Sequence, residues 1–91
     1  MNTSHKTVTV NSTSNMLLWP INKKRTFLSI QNQSALDIII NVGATPTTSD
    51  GFIIPPGDNW TPVNPPKGDI RITGTAAVAV FQKVFTMEEA L

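Results

Sequence analysis

Alternation of apolar and polar residues along most of the chain is the feature that most limits how it can fold. Residues 36–43 place four apolar side chains on one face of an extended strand: Leu36, Ile38, Ile40 and Val42. The same period of two puts Ile70 and Ile72 on one face of the segment DIRITG. A period of two is typical of strands with one buried face. The sequence therefore predicts an all-β domain.

Turn-forming residues divide the chain into seven or eight short segments of this kind, about 8–12 residues apart. In TFLSIQNQS, Leu28 and Ile30 share one face and Phe27 lies on the other. This spacing predicts a small antiparallel β-sandwich of the jelly-roll or immunoglobulin-like kind. Ninety-one residues are enough for one domain.

Residues 51–60, GFIIPPGDNW, combine large apolar side chains with residues that stop regular structure. We expect Phe52 and Ile54 to insert into the core, and Pro55, Pro56 and Gly57 to form a corner, because proline cannot donate to a strand ladder. Trp60 then plugs the sandwich. The alternative for Trp60, and equally for Trp19, is an exposed platform on which a sugar or a base stacks.

The core is predicted from the apolar face of each strand. We expect these residues to be mostly buried: Ile38, Ile40, Val42, Ile70, Ile72, Val78 and Val80. Between the last two strands, Thr73, Gly74 and Thr75 form a predicted hairpin turn.

Three regions are predicted: residues 1–15 as an N-terminal arm with a short strand at TVTV, residues 16–83 as the β-sandwich, and residues 84–91 as a C-terminal tail. Thr86 and Glu89 have the spacing of a helical capping box. Too few residues follow for a helix that is stable in water. The tail therefore forms at most a short helical turn, which either frays or docks its apolar side chains on another surface.

Composition favours a protein that works among other proteins. Charged residues make up 14% of the chain, against about 25% in typical soluble proteins, and the net charge is +1. That charge is too small for a general nucleic-acid binder. Cysteine is absent, so a small core has no disulfide to support it and assembly is the usual remaining route. No segment has the pattern of a signal peptide or a membrane span.

Side chains suited to catalysis are few. The single histidine, His5, lies in the polar N-terminal segment. The candidate carboxylates are Asp37, Asp50, Asp58 and Asp69, and the last three sit beside turn-forming glycine or asparagine. A calcium site among the carboxylates is the remaining alternative. Phosphate-binding loops, dinucleotide fingerprints and zinc-protease motifs do not occur in the sequence. We expect no enzyme, no cofactor and no metal site.

Two kinds of segment are candidates for binding a partner. Lys23, Lys24 and Arg25 form the basic cluster, which either contacts phosphates or an acidic surface, or is a solvated strand entry that discourages edge pairing. The other candidates lie in the predicted arm and tail: Thr7, Val8, Thr9, Val10, Phe85, Met87 and Leu91. An extended arm can add a strand to a neighbour's sheet, and apolar tail residues can fill a groove.

The order of the motifs RTFLSIQNQSALDIIINVG, GFIIPPGDNWTP and PPKGDIRITGTAAVAV resembles a pattern in small structural proteins of tailed bacteriophages. In that pattern an Arg-aromatic-Leu-x-Ile-Gln-Asn strand is followed by an apolar strand, a Gly-x-x-Ile-x-x-Gly corner and an Ile-x-Ile-x-Gly segment. The match covers residues 25–80, and both ends of the chain lie outside it.

The resemblance implies a non-enzymatic β-domain of the virion that decorates or cements the capsid through protein–protein contacts. Its expected partners are the major capsid protein or another virion protein, and copies of itself in a homo-oligomer, for which a trimer is one arrangement. It implies a place on the capsid surface after synthesis in the cytoplasm of the bacterial host, with no specific nucleic-acid or membrane partner. The alternative function is a tail-fibre module that binds a receptor or a carbohydrate.

Overall fold

The computed structural model describes residues 2–43 and 50–91. They form eight strands: β1 Asn2–Val10, β2 Met16–Trp19, β3 Arg25–Asn32, β4 Ile38–Val42, β5 Phe52–Ile54, β6 Asn59–Trp60, β7 Ile70–Gly74 and β8 Gln82–Ala90. The prediction of an all-β chain with seven or eight short strands is confirmed. Across the described ranges there is no helix, and hence none that is long and apolar enough to cross a membrane.

The strands form two antiparallel four-stranded sheets, with the order β1-β8-β3-β6 in the first sheet and β2-β7-β4-β5 in the second. Four pairs of neighbours, β1–β8, β2–β7, β3–β6 and β4–β5, have numbers that add to nine. This is the connectivity of a long antiparallel ribbon wrapped into a barrel, which is a jelly roll. An immunoglobulin-like sandwich would instead place β1 and β2 side by side in one sheet. The structure therefore selects the jelly roll from the two predicted types.

Both sheets contribute to one core between them. It contains eleven buried side chains: Val10, Leu18, Trp19, Leu28, Ile30, Ile38, Ile40, Ile54, Ile70, Ile72 and Val84. Four of the seven predicted core residues are fully buried, and Val42 packs against the cluster while half-buried. Period-two alternation therefore located the inner faces of β3, β4 and β7.

The prediction that Val78 and Val80 lie in the core is wrong. Their exposed fractions are 62% and 51%, because residues 75–81 connect one sheet to the other and form no strand. A turn bends this segment, with the Val80 amide donating to the Ala77 carbonyl at 2.8 Å. The predicted hairpin at Thr73–Gly74–Thr75 is wrong for the same reason: Thr73 and Gly74 belong to β7, whose successor β8 lies in the opposite sheet.

Phe52 and Leu36 are also less buried than expected. Phe52 pairs with the core residue Ile40 and so faces inward, but its strand is the edge of the second sheet and its exposed fraction is 55%. Leu36 precedes β4 and is exposed in the connection from β3. An inward direction buries a side chain only where the opposite sheet extends far enough to cover it.

The division into arm, sandwich and tail needs correction. Asn2–Val10 pairs with β8 along its whole length, so the N-terminal segment is an edge strand of the first sheet. The C-terminal segment does not form a helical turn, because Gln82–Ala90 is a nine-residue strand between β1 and β3. Both ends of the chain are built into one sheet.

Polar residues on the inner faces of β1 and β8 explain why the sequence pattern predicted only part of each strand. On the inner face of β8, Val84 is followed by Thr86 and Glu88, each buried with a polar partner. On the inner face of β1, only Val8 and Val10 are apolar. The alternation is therefore present in both strands, but hydrophobicity alone reveals only part of it.

The predicted corner at residues 55–57 is confirmed. The Asp58 amide donates to the Pro55 carbonyl at 3.1 Å and closes a turn around Pro56 and Gly57. Gly57 has φ 78°, as the third residue of a type II turn requires. Its own amide donates to the Asn32 carbonyl at 2.9 Å, which ties the corner to β3.

Candidate partner-binding surface

The jelly roll has two ends, which carry different connections. The loop end carries residues 11–15, 33–37, 55–58 and 75–81. The termini end carries residues 20–24 and 61–69 together with Asn2 and Leu91. Antiparallel pairing assigns each connection to its end, since every strand returns the chain to the opposite end.

A buried glutamine fixes the loop end. Gln82 Oε1 accepts the amides of Thr75 and Ala76, each at 2.8 Å. Its Nε2 donates to the carbonyl oxygen of Asp37 at 2.8 Å and to that of Leu36 at 3.1 Å. One side chain thereby joins the connection before β8 to the connection before β4.

Two buried asparagines extend this network. Asn11 Nδ2 donates to the Val78 carbonyl at 2.9 Å. Asn32 Nδ2 donates to the carbonyls of Leu36 and Ile54, both at 2.8 Å. Buried amides that use their donors and acceptors in this way hold loops in one arrangement.

The fixed loops present apolar side chains to solvent. The exposed residues of this loop-end patch are Leu36, Val78, Val80 and Phe81. Exposed apolar groups of this kind are a common feature of protein–protein contact sites. The sequence did not indicate the patch, because the period-two pattern of Val78 and Val80 predicted burial.

Arg25 does not belong to an exposed basic cluster, so that prediction is wrong. Its exposed fraction is 0%. Strict alternation from Leu28 and Ile30 places Arg25 on the outer face, but the register shifts between Arg25 and Phe27. The extra residue of this bulge turns Arg25 to the inner face.

Inside the sandwich Arg25 holds together the termini end. Its Nε donates to Glu88 Oε2 at 2.6 Å, and its Nη2 donates to the Pro20 carbonyl at 2.8 Å. Nη1 donates to the carbonyls of Pro66 and Gly68. The guanidinium group therefore anchors the proline-rich connection 61–69 and has no free edge for a phosphate.

Lys23 and Lys24 are exposed in the turn between β2 and β3. The Leu91 amide donates to the Lys24 carbonyl at 2.9 Å, so the exposed Leu91 lies beside this turn. Of the residues predicted to bind a partner, Lys23, Lys24 and Leu91 are exposed here and form a small surface at the termini end.

The outer face of the first sheet brings together four more of the residues predicted to bind a partner. Thr7 and Thr9 of β1 share it with Phe85 and Met87 of β8, and Thr7 lies directly opposite Phe85. Phe85 and Met87 are half-buried by their neighbours, and the rings of Phe85 and His5 stack with centroids 6.1 Å apart. Val10 is buried and Val8 half-buried in the interior, so neither lies on this face.

Each open side of the sandwich is closed by a tryptophan. On one side the edges are β1 and β2, where Lys6 Nζ lies 4.2 Å from the centroid of the Trp19 ring. On the other side the edges are β6 and β5, where the rings of Trp60 and Phe52 stack 5.6 Å apart. Trp19 is 7% exposed and cannot serve as a platform. Trp60 is half-buried and packs on the core, so its exposed neighbour Phe52 offers the accessible aromatic face.

Among the described residues the ionisable side chains form one ion pair, Arg25–Glu88, which is buried between the sheets. Asp69 Oδ1 accepts the Ile21 amide at 2.7 Å, which is a structural bond. Among residues 2–43 and 50–91, no three His, Asp or Glu side chains lie close enough to hold a metal ion. Two surfaces carry exposed or half-buried apolar side chains suited to contact with another protein: the loop-end patch and the outer face of the first sheet.

Comparison with known proteins assigns no family to the chain. No protein-family model matches it, and no curated protein matches it significantly.

Proposed function

We propose that the chain is a non-enzymatic structural protein of a bacteriophage virion, which decorates or cements the capsid through protein–protein contacts. The observation that carries the proposal is the jelly-roll strand order β1-β8-β3-β6 and β2-β7-β4-β5. Jelly rolls are a recurrent architecture of viral capsid domains.

The surface chemistry supports the same proposal. Charged residues are only 14% of the chain, so neighbouring copies repel each other little. The loop-end patch and the outer face of the first sheet each present exposed or half-buried apolar side chains. Many weak contacts of this kind, repeated over a symmetric shell, give a total affinity far above that of one contact.

The experiment is binding of the purified protein to capsids that lack it. Deleting residues 84–91 is unsuitable, because it removes a strand from the middle of the first sheet. Phe81→Asp introduces a charge into the loop-end patch without touching the core, and Val63→Asp is its matched control at the termini end. We expect Phe81→Asp to reduce capsid occupancy and Val63→Asp to leave it unchanged. Failure of the unmodified protein to bind any such capsid would contradict the proposal.

A second candidate is a receptor- or carbohydrate-binding module of a tail fibre. Jelly rolls also form lectin domains. The exposed ring of Phe52 is stacked on Trp60, which directly follows the exposed residues Asp58 and Asn59 in the sequence. Aromatic faces flanked by polar groups bind sugar rings. Binding of the protein to host glycans that is lost in Phe52→Ala and retained in Phe81→Asp would favour this candidate.

A further inference from the structure

Strand β1 is held by few side chains. Six of its nine residues are exposed, and only Val10 is fully buried. Val8 is half-buried, and the ammonium group of Lys6 lies over the Trp19 ring. Main-chain pairing with a single neighbour, β8, supplies most of the remaining attachment. A strand attached in this way opens at a lower free-energy cost than the strands of the core.

The connection that follows β1 is fastened to the other strands without the help of β1. The Asn11 carbonyl accepts the Gly74 amide at 3.0 Å, and the Ser12 amide donates to the Ala76 carbonyl at 2.9 Å. Asn11 Nδ2 adds its bond to the Val78 carbonyl. None of these bonds involves residues 2–10. Rotation of the backbone at Val10 and Asn11 can therefore release β1 while residues 11–15 stay in place.

The site that β1 leaves is specific for the sequence of β1. It consists of the nine-residue edge of β8, with Val84 and Trp19 exposed beneath it. An occupant must place small apolar side chains at the positions of Val8 and Val10, and a cation above the indole ring. A second copy of this chain offers all of these groups in the same register.

We propose that β1 is exchanged between copies, so that Asn2–Val10 of one copy pairs with Gln82–Ala90 of a neighbour. The main-chain pairs and side-chain contacts of Asn2–Thr9 can all be made again in this arrangement, so exchange has a low free-energy cost. The inference rests on the proposed function, since a shell of adjacent copies supplies the local concentration that favours exchange over return of the chain's own strand.

Engineered cysteines test the exchange, because the natural chain contains none. Thr9 and Lys83 are exposed and directly opposite in the pairing of β1 with β8. Thr9→Cys and Lys83→Cys are introduced into separate full-length chains, which are mixed in denaturant, refolded together at high concentration and oxidised. We expect a disulfide-linked heterodimer joining positions 9 and 83, identified by peptide mass spectrometry.

The control mixture pairs Thr9→Cys with Lys24→Cys, an exposed site in the turn between β2 and β3. Exchange predicts a severalfold excess of the 9–83 heterodimer over the 9–24 heterodimer. The double variant in one chain reports whether β1 pairs with β8 at all. Equal yields in the two mixtures, or no cross-link in the double variant, would overturn the inference. Purified protein is used throughout, so this result is independent of whether the protein binds capsids.

Discussion

Arg25 donates a hydrogen bond from Nε to Glu88 Oε2 over 2.6 Å, and this ion pair lies between the two sheets of the jelly roll. The pair joins β3 to β8, while the other guanidinium nitrogens donate to the carbonyl of Pro20 and to the carbonyls of Pro66 and Gly68 in the connection 61–69. These four hydrogen bonds join the buried guanidinium group to β8 and to two connections. Removal of Arg25 would leave the buried Glu88 carboxylate without a compensating charge.

We expect Arg25→Ala to lower the free energy of unfolding by about 3–5 kcal/mol, the usual cost of breaking a buried ion pair. Since small domains have a total stability of about 5–15 kcal/mol, this variant will be close to unfolding. Lys24→Ala, next to it in an exposed turn, is the control and should change little. Urea denaturation measures both. Similar small losses in the two variants would show that Arg25 is solvated.

Replacing both members of the pair by apolar residues separates the charge effect from a packing effect. The double variant Arg25→Met with Glu88→Leu removes both charges, so neither remains uncompensated. We expect it to be more stable than Arg25→Met alone, as apolar replacements of buried ion pairs often are. A double variant that is less stable than the single one would contradict the claim that Arg25→Met leaves Glu88 as an uncompensated buried charge.

Ile40 is fully buried in the middle of the second sheet, on β4, which lies between β7 and β5. We expect Ile40→Ala to cost about 2–5 kcal/mol through lost transfer energy and a residual cavity. Val78→Ala removes a comparable apolar group from the exposed loop-end patch, and we expect a loss below about 0.5 kcal/mol. Equal losses in denaturant titrations would contradict the assignment of the two residues to core and surface.

Two glycines are expected to resist substitution for different reasons. A Cβ on Gly74 would lie 2.9 Å from Asn11 Cα, so Gly74→Ala forces the loop end apart. Gly57 has open space around it and a positive φ, so its constraint is conformational. Asparagine tolerates that conformation. We therefore expect Gly57→Asn to lose less stability than Gly74→Asn, as measured by thermal unfolding, and the reverse order would refute this distinction.

His5 is exposed on β1 and stacks on Phe85, but no acidic side chain bonds to it in the described structure. We expect His5→Ala to change the free energy of unfolding by less than about 0.5 kcal/mol, because the ring is exposed. Urea denaturation measures this effect. A larger loss would show that the ring stack of His5 on Phe85 contributes to the attachment of β1 to β8.

Periodicity was sufficient to predict the fold class because the inner faces of β3, β4 and β7 are apolar. Residues such as Ile30, Ile40 and Ile72 leave little choice about which face is buried. The corner at Pro55–Gly57 was equally predictable, since these residues favour one turn geometry. Where inner positions are polar, as at Thr86 and Glu88, hydrophobicity no longer marks the strand.

The partner-binding surface was less predictable, since it depends on register and on long-range partners. A single bulge moves Arg25 from the expected surface to the interior. Val78 and Val80 alternate as strand residues do, but they lie in a connection whose position is set by Gln82 and Asn11. Local alternation does not reveal either effect, because Arg25 is held by Glu88 and the Val78 carbonyl by Asn11, both more than sixty residues away in the sequence.

Localisation in intact particles tests the central claim most directly. A cryo-EM reconstruction of the virion should show an eight-stranded jelly roll, with the order β1-β8-β3-β6 and β2-β7-β4-β5, at many symmetry-related positions on the capsid surface. The loop-end patch or the outer face of the first sheet should contact the capsid protein. Absence of this density from the capsid, or its presence only on a tail fibre, would contradict the account.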